Sequence, residues 1–110
     1  ALLLINALNP WGYAHHHRQD HLGIDVNRNF VDFDQPLPEN PGYRQLRPLF
    51  AIADPQAQRA ALGEAAAALG ARNYEIAFSG GQYEDSAGPF YGGTGKSHSR
   101  EVIEALMARF

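Results

Sequence analysis

The chain opens with an apolar run, Ala1 to Leu8, in which Asn6 is the only polar side chain. A run without polar alternation is typical of a strand that is buried on both faces, inside a sheet that helices cover. Asn9-Pro10-Trp11-Gly12 has turn chemistry and is expected to end this strand. Sites in open α/β sheets form at the carboxyl ends of strands, where this turn and Arg18 would lie. We therefore predict that the chain contains a strand of a sheet that helices cover.

The rest of the chain is predicted to be a long ordered loop followed by helices. Residues 13 to 42 show no sustained period and contain three prolines in their second half, so the loop should follow the first strand directly. Start and stop residues bound the later helices. The predicted elements are one or two helical turns within Tyr43 to Phe50, interrupted near Pro48; a helix begun by Asp54-Pro55, running from Gln56 to Leu69 and ended by Gly70; a helix from Arg72 to Phe78; a glycine-rich loop from Gly88 to Gly95; and a last helix capped by Ser99, with Val102, Ile103, Leu106, Met107 and Phe110 in one stripe.

Composition excludes several classes of function. With 110 residues the chain is one domain or part of one. A net charge of −3 does not favour nucleic acid or an anionic membrane as a partner, and Leu2 to Ile5 is too short for a membrane span. The absence of cysteine excludes disulfides, thiolate metal sites and a thiol nucleophile. It also fits a reducing compartment, so a cytoplasmic location is expected.

The segment Gly23 to Phe30 concentrates the polar chemistry, because it places one acid, two amides and one guanidinium between apolar residues. A planar guanidinium binds a carboxylate through two parallel hydrogen bonds, and a neighbouring amide adds a further donor. Asn27 and Arg28 are therefore a candidate carboxylate receptor. The alternative is that Arg28 is structural and pins the long loop through backbone carbonyls.

Several motifs together resemble the zinc carboxypeptidase family, in particular its bacterial carboxypeptidase-like branch. They are Asn9-Pro10-x-Gly12-Tyr13, Arg18, Asp25-x-Asn27-Arg28-Asn29-Phe30, Pro38-x-Asn40-Pro41-x-Tyr43, Gly81-Gln82-Tyr83 and Phe90-Tyr91-Gly92-Gly93-Thr94. The resemblance implies a metallopeptidase, a zinc-dependent hydrolase that cleaves a peptide or amide bond next to a free carboxylate. It implies an α/β fold of the zinc-carboxypeptidase-like kind, with part of an open mixed sheet, flanking helices and a long ordered loop after the first strand.

The same resemblance implies a role for each site residue. Asn27 and Arg28 would grip the substrate carboxylate, and Arg18 would be the catalytic cation that stabilises the oxyanion. Asp25 would accept a hydrogen bond from a zinc-bound histidine and so fix its tautomer. Asn9 would hold the loop that carries Arg18, and Asn29 and Phe30 would be packing and scaffolding residues. Structural alternatives are a solvated surface position for Arg18 and a turn acceptor for Asp25.

Zinc is where the chain departs from the family pattern. Family members bind zinc through His-x-x-Glu and a later histidine, yet none of the five histidines here has Glu three residues on. We therefore expect residues 1–110 to be a single partial domain, the middle segment of a catalytic domain. Zinc is expected in the complete enzyme, but this chain should hold no metal tightly. The isolated segment is expected to be inactive. The expected partner is a peptide or acyl amino acid with a free carboxylate. Two alternatives stay open, a zinc N-acyl amino acid deacylase of the same superfamily and a non-catalytic carboxylate-binding module.

Two further patterns are weaker. His15-His16-His17 and His21 could suggest a metal site, but adjacent residues in a loop point apart and no acid has the right spacing. Gly95-Lys96-Ser97 fits the end of a phosphate-binding loop, but Phe90 stands where that pattern requires glycine. We expect neither a physiological metal nor a nucleotide at these positions.

Overall fold

The computed structural model describes residues 2–110, and within them the architecture is helical. Five α-helices follow one another, with a single 3₁₀ turn, Val26–Arg28, between the first and the second. In chain order the helices are α1 (Pro10–His15), α2 (Pro41–Phe50), α3 (Pro55–Leu69), α4 (Ala71–Ser79) and α5 (His98–Arg109). Across residues 2–110, no helix has the length and apolarity to cross a membrane.

The predicted α/β fold, with its zinc-carboxypeptidase-like open sheet, is wrong for the structure. Residues 2–110 contain no strand, and their only strand-type pairing is an isolated bridge between Gln82 and Tyr91. Residues 2–8 form no regular element, and Leu2 and Leu4 are 82% and 81% exposed. A strand buried on both faces needs neighbouring strands to pair with, and residues 2–110 contain no such strand.

The residues predicted to form a turn begin a helix instead. Asn9 caps α1, because its Oδ1 accepts a hydrogen bond from the Gly12 backbone N–H at 3.0 Å, and Pro10 occupies the first helical position. α1 ends at His15 and is followed by His16, whose φ of 56° is left-handed. The long loop therefore begins only after α1.

The later helices follow their local signals closely. Asp54 and Pro55 start α3, Gly70 ends it, and α4 extends the predicted helix by one residue at each end. Two details were wrong. α2 starts at Pro41, capped by Asn40, and continues through Pro48 to Phe50. The cap of α5 is Ser97, whose Oγ accepts from the Arg100 N–H at 3.2 Å, whereas the prediction was Ser99.

The core lies where α2, α3 and α4 pack together. Tyr43 and Leu46 of α2 and Ala77 of α4 are almost fully buried. The start of α2 lies so close to α4 that a Cβ added to Gly42 would be 2.7 Å from the Ala77 Cβ, so this contact requires glycine. Aromatic rings extend the core: Phe78 contacts Phe50, Tyr74 and Phe90 at centroid distances of 5.5 to 5.9 Å. This core fixes α4, whose carboxyl end borders the site.

Candidate functional site

The segment that contains the predicted site residues is held in place by a turn around the buried side chain of Asp20. Asp20 accepts hydrogen bonds at 2.9 Å from the backbone N–H groups of Leu22 and Ile24, and Gly23 takes a φ of 79°. The chain then passes beside Tyr91, and the Asp25 N–H donates to the Tyr91 carbonyl at 2.7 Å. The positions of residues 25 to 28 are therefore set by contacts on both sides.

Asn29 connects this segment to the glycine-rich loop. Its side chain is completely buried, and its Nδ2 donates to the carbonyls of Gly92 and Gly95 at 2.8 and 2.9 Å. Its Oδ1 accepts from the Ser97 N–H at 2.8 Å. All these bonds cross more than 60 residues of sequence, so Asn29 has the scaffolding role that the sequence predicted.

Arg18 and Asp25 form an ion pair. The Arg18 Nε donates to the Asp25 Oδ2 at 2.7 Å, and the two side chains are 50% and 2% exposed. The other carboxylate oxygen of Asp25 accepts from the Asn27 N–H at 3.1 Å and caps the 3₁₀ turn. Asp25 is thus both the turn acceptor of the structural alternative and the partner of Arg18. Asn9 donates to the Arg18 carbonyl at 3.3 Å, which is the contact expected of a residue that holds this loop.

Arg28 is half-buried and has no carboxylate partner among residues 2–110. Its Nη2 donates to the Ser79 carbonyl at 2.7 Å, as the structural alternative predicted. Its Nε, however, is buried and makes no hydrogen bond. Gly81 takes a φ of 96°, and a Cβ there would lie 2.9 Å from the Arg28 Cδ, so this glycine lets the backbone approach the arginine. The arginine is therefore fixed in place while part of its donor capacity is unused.

Two adjacent cavities bring the four predicted site residues together. Asn27 and Arg28 line a cleft of about 530 Å³ between the loop before α2 and the end of α4. Arg18, Asp25 and Asn27 line a second cavity of about 280 Å³. Asn27 and Phe30 belong to both linings, so the two cavities meet at these residues. A volume of several hundred Å³ suits a small ligand.

Phe90, whose role the sequence did not indicate, lies close to both arginines. The guanidinium carbons of Arg18 and Arg28 are 5.1 and 5.9 Å from the centre of its ring, within cation–π range. Phe90 has a φ of 55°, which is rare for a bulky side chain. In the sequence, only its place in the motif Phe90-Tyr91-Gly92-Gly93 could have indicated that Phe90 belongs to the site.

Tyr83 is a second residue that the sequence analysis left without a role. Its hydroxyl donates to the Arg28 carbonyl at 2.7 Å, and the residue also lines the larger cleft. Burial raises the pKa of Tyr83, although the charge of Arg28 opposes the shift. The phenol therefore stays protonated at neutral pH and remains a donor to the backbone of the site.

The histidine run and the stretch that resembles a phosphate loop make structural contacts. Within residues 2–110 no group of three or more His, Cys, Asp or Glu side chains could hold a metal ion. His15 instead stacks on Trp11, with ring centres 4.4 Å apart. Lys96 is paired with Glu104 at 2.6 Å, and Ser97 caps α5, so the stretch that looks like a phosphate loop has structural roles.

Comparison with known proteins gives one match. The sequence model of a family described as "Protein of unknown function (DUF2817)" matches residues 1–110. No curated protein and no solved structure matches the chain.

Proposed function

We propose a function for this chain, which belongs to the family described as "Protein of unknown function (DUF2817)". It recognises the free carboxylate of a peptide or N-acyl amino acid. This is the substrate-holding task in a zinc carboxypeptidase-like hydrolase, which cleaves the amide bond next to that carboxylate. Arg28 and Asn27 bind the carboxylate in the larger cleft, and Arg18 lies in the adjoining cavity.

The observation that carries the proposal is the state of Arg28. A guanidinium that loses water on burial needs hydrogen-bond acceptors in its place. Arg28 has one protein acceptor, the Ser79 carbonyl, and a buried Nε without any. The neighbouring Asn27 side chain is exposed and lines the same cleft. A ligand carboxylate would supply the missing negative charge and would bind through the Nη atoms of Arg28, because the buried Nε lies against Gly81.

Arg18 supports the proposal differently, because Asp25 already neutralises part of its charge. The Nε of Arg18 is bound to Asp25, which fixes the orientation of the guanidinium, while half of the side chain is exposed to the smaller cavity. A cation held in this way is suited to an oxygen that gains negative charge during a reaction.

The residues of this chain do not fit a zinc centre. The described part, residues 2–110, has no group of metal-ligating side chains, and both oxygens of Asp25 are bound within the chain, to Arg18 and to the Asn27 N–H. We therefore assign no chemical step to this chain. The second candidate, a non-catalytic carboxylate-binding module, would use the same cleft.

The test compares an acid with its uncharged amide. N-acetylalanine and N-acetylalaninamide are titrated into the chain by NMR, and we expect the acid to bind at least about tenfold more tightly, as a charge-assisted pair would give. Arg28→Ala should abolish this difference, and Arg28→Lys should restore part of it, because an ammonium lacks the planar fork. Arg72→Ala is the matched control, since Arg72 is an exposed arginine on α4 outside the cleft. Equal binding of acid and amide by the wild type would refute the proposal.

A further inference from the structure

The larger cleft has apolar walls from several elements. Leu69 lies at the end of α3, and Ile76 and Ala77 belong to α4. Pro41 is the first residue of α2, and Pro38 lies just before that helix. Ile76 is 55% exposed although it is a large apolar residue in the middle of a helix. An exposed apolar side chain that lines a cleft is a common feature of ligand-binding sites.

Several polar groups around these walls are already bound to the protein itself. The Asn40 Nδ2 donates to the Gly81 carbonyl at 2.9 Å, and the Asn73 Nδ2 donates to the Leu69 carbonyl at 3.0 Å. Glu39 is well exposed and 3.8 Å from an Arg44 nitrogen, so solvent screens its charge. Away from Asn27 and Arg28, a polar ligand group would find few free partners here.

We infer that the cleft selects a carboxylate whose own side chain is apolar, and that Ile76 and Leu69 determine this preference. The inference rests on the proposed function, because it assumes that Arg28 holds the carboxylate. With the charge fixed at Arg28, the side chain of a terminal leucine or phenylalanine would lie against the walls formed by α3 and α4. A side chain of the same size that ends in an amide would lose water there without gaining partners.

The experiment uses two acids of nearly equal size, N-acetylleucine and N-acetylglutamine, and N-acetylleucinamide as the uncharged probe. We expect the wild type to bind the leucine acid roughly tenfold more tightly than the glutamine acid. Ile76→Ser should reduce that ratio several-fold. Val102→Ser is the matched control, because Val102 is also a partly exposed β-branched helical residue and lies in α5, away from the cleft.

The outcomes separate this inference from the proposed function. If leucine and glutamine acids bind equally and both bind more tightly than the leucine amide, the side-chain preference is wrong and the carboxylate site stands. If N-acetylleucine and its amide bind alike, the carboxylate site itself is wrong. Arg28→Ala should weaken both acids together and leave their ratio unchanged, which Ile76→Ser should not do. An unchanged ratio in Ile76→Ser would assign the preference to other residues and overturn the role given to Ile76.

Discussion

Replacing Asn29 with alanine should be among the most destabilising changes in the site. Three hydrogen bonds are lost, from Nδ2 to Gly92 and Gly95 and from the Ser97 N–H to Oδ1, and the side chain is completely buried. At about 0.5 to 1.5 kcal/mol for each bond, with buried partners left unsatisfied, the free energy of unfolding should fall by about 2 to 4 kcal/mol. That is a large share of the roughly 5 to 15 kcal/mol typical of a domain.

Thermal and urea unfolding followed by circular dichroism measure this loss. At about 4 °C for each kcal/mol, the Tm should fall by roughly 8 to 16 °C. Asn73→Ala is the matched control, since the Asn73 side chain makes one exposed hydrogen bond to the Leu69 carbonyl, and its effect should stay within about 0.5 kcal/mol. Equal costs for Asn29→Ala and Asn73→Ala would refute the view that Asn29 joins the site to the glycine-rich loop.

Asn29→Asp separates the hydrogen bonds from the volume of the side chain. The aspartate keeps the shape and the acceptor for the Ser97 N–H, but it directs a negative charge at the Gly92 and Gly95 carbonyls. We expect it to be at least as destabilising as alanine at neutral pH. Because the two carbonyls and burial would raise the pKa of this carboxyl in the folded state, the variant should regain stability as the pH falls through that raised pKa, and the recovery should be complete near the ordinary Asp pKa of about 4. No recovery in acid would mean that the carbonyls do not face the side chain closely.

Two other predictions concern charged contacts. Phe90→Leu should weaken binding of N-acetylalanine by about two- to fivefold, because one ring faces the guanidinium groups of both Arg18 and Arg28. Phe90→Tyr keeps an aromatic ring and should retain the affinity. Equal affinities for the leucine and tyrosine variants would show that the ring contributes no attraction. Hydrogen bonds from Lys96 and then Arg100 lower the pKa of Glu104, so the stability that this group contributes is present above its ordinary pKa and is lost as the pH falls through the lowered one. The Tm of the wild type should therefore fall more between about pH 6 and pH 3 than that of Glu104→Gln, and parallel pH profiles would contradict this.

Sequence alone determined the parts of the fold that depend on local chemistry. The bounds of α3 follow from an acceptor side chain and proline at its start and glycine at its end, and these act within one helical turn. The cap of α5 was misplaced by two residues, because Ser97 and Ser99 offer the same hydroxyl. Only the buried contact of Ser97 with Asn29, across 68 residues, distinguishes them.

Tertiary structure decided what depends on distant partners. An apolar run such as Ala1 to Leu8 is compatible with a buried strand, but a strand needs neighbours, and in residues 2–110 no sheet is present. In the same way, the sequence indicated that Arg18, Asp25, Asn27 and Arg28 belong together. It did not indicate that Arg28 would lack an acid partner among residues 2–110, or that Phe90 would lie close to both arginines. Those properties arise because α4 and the glycine-rich loop, far along the chain, fold back onto the segment around Arg28.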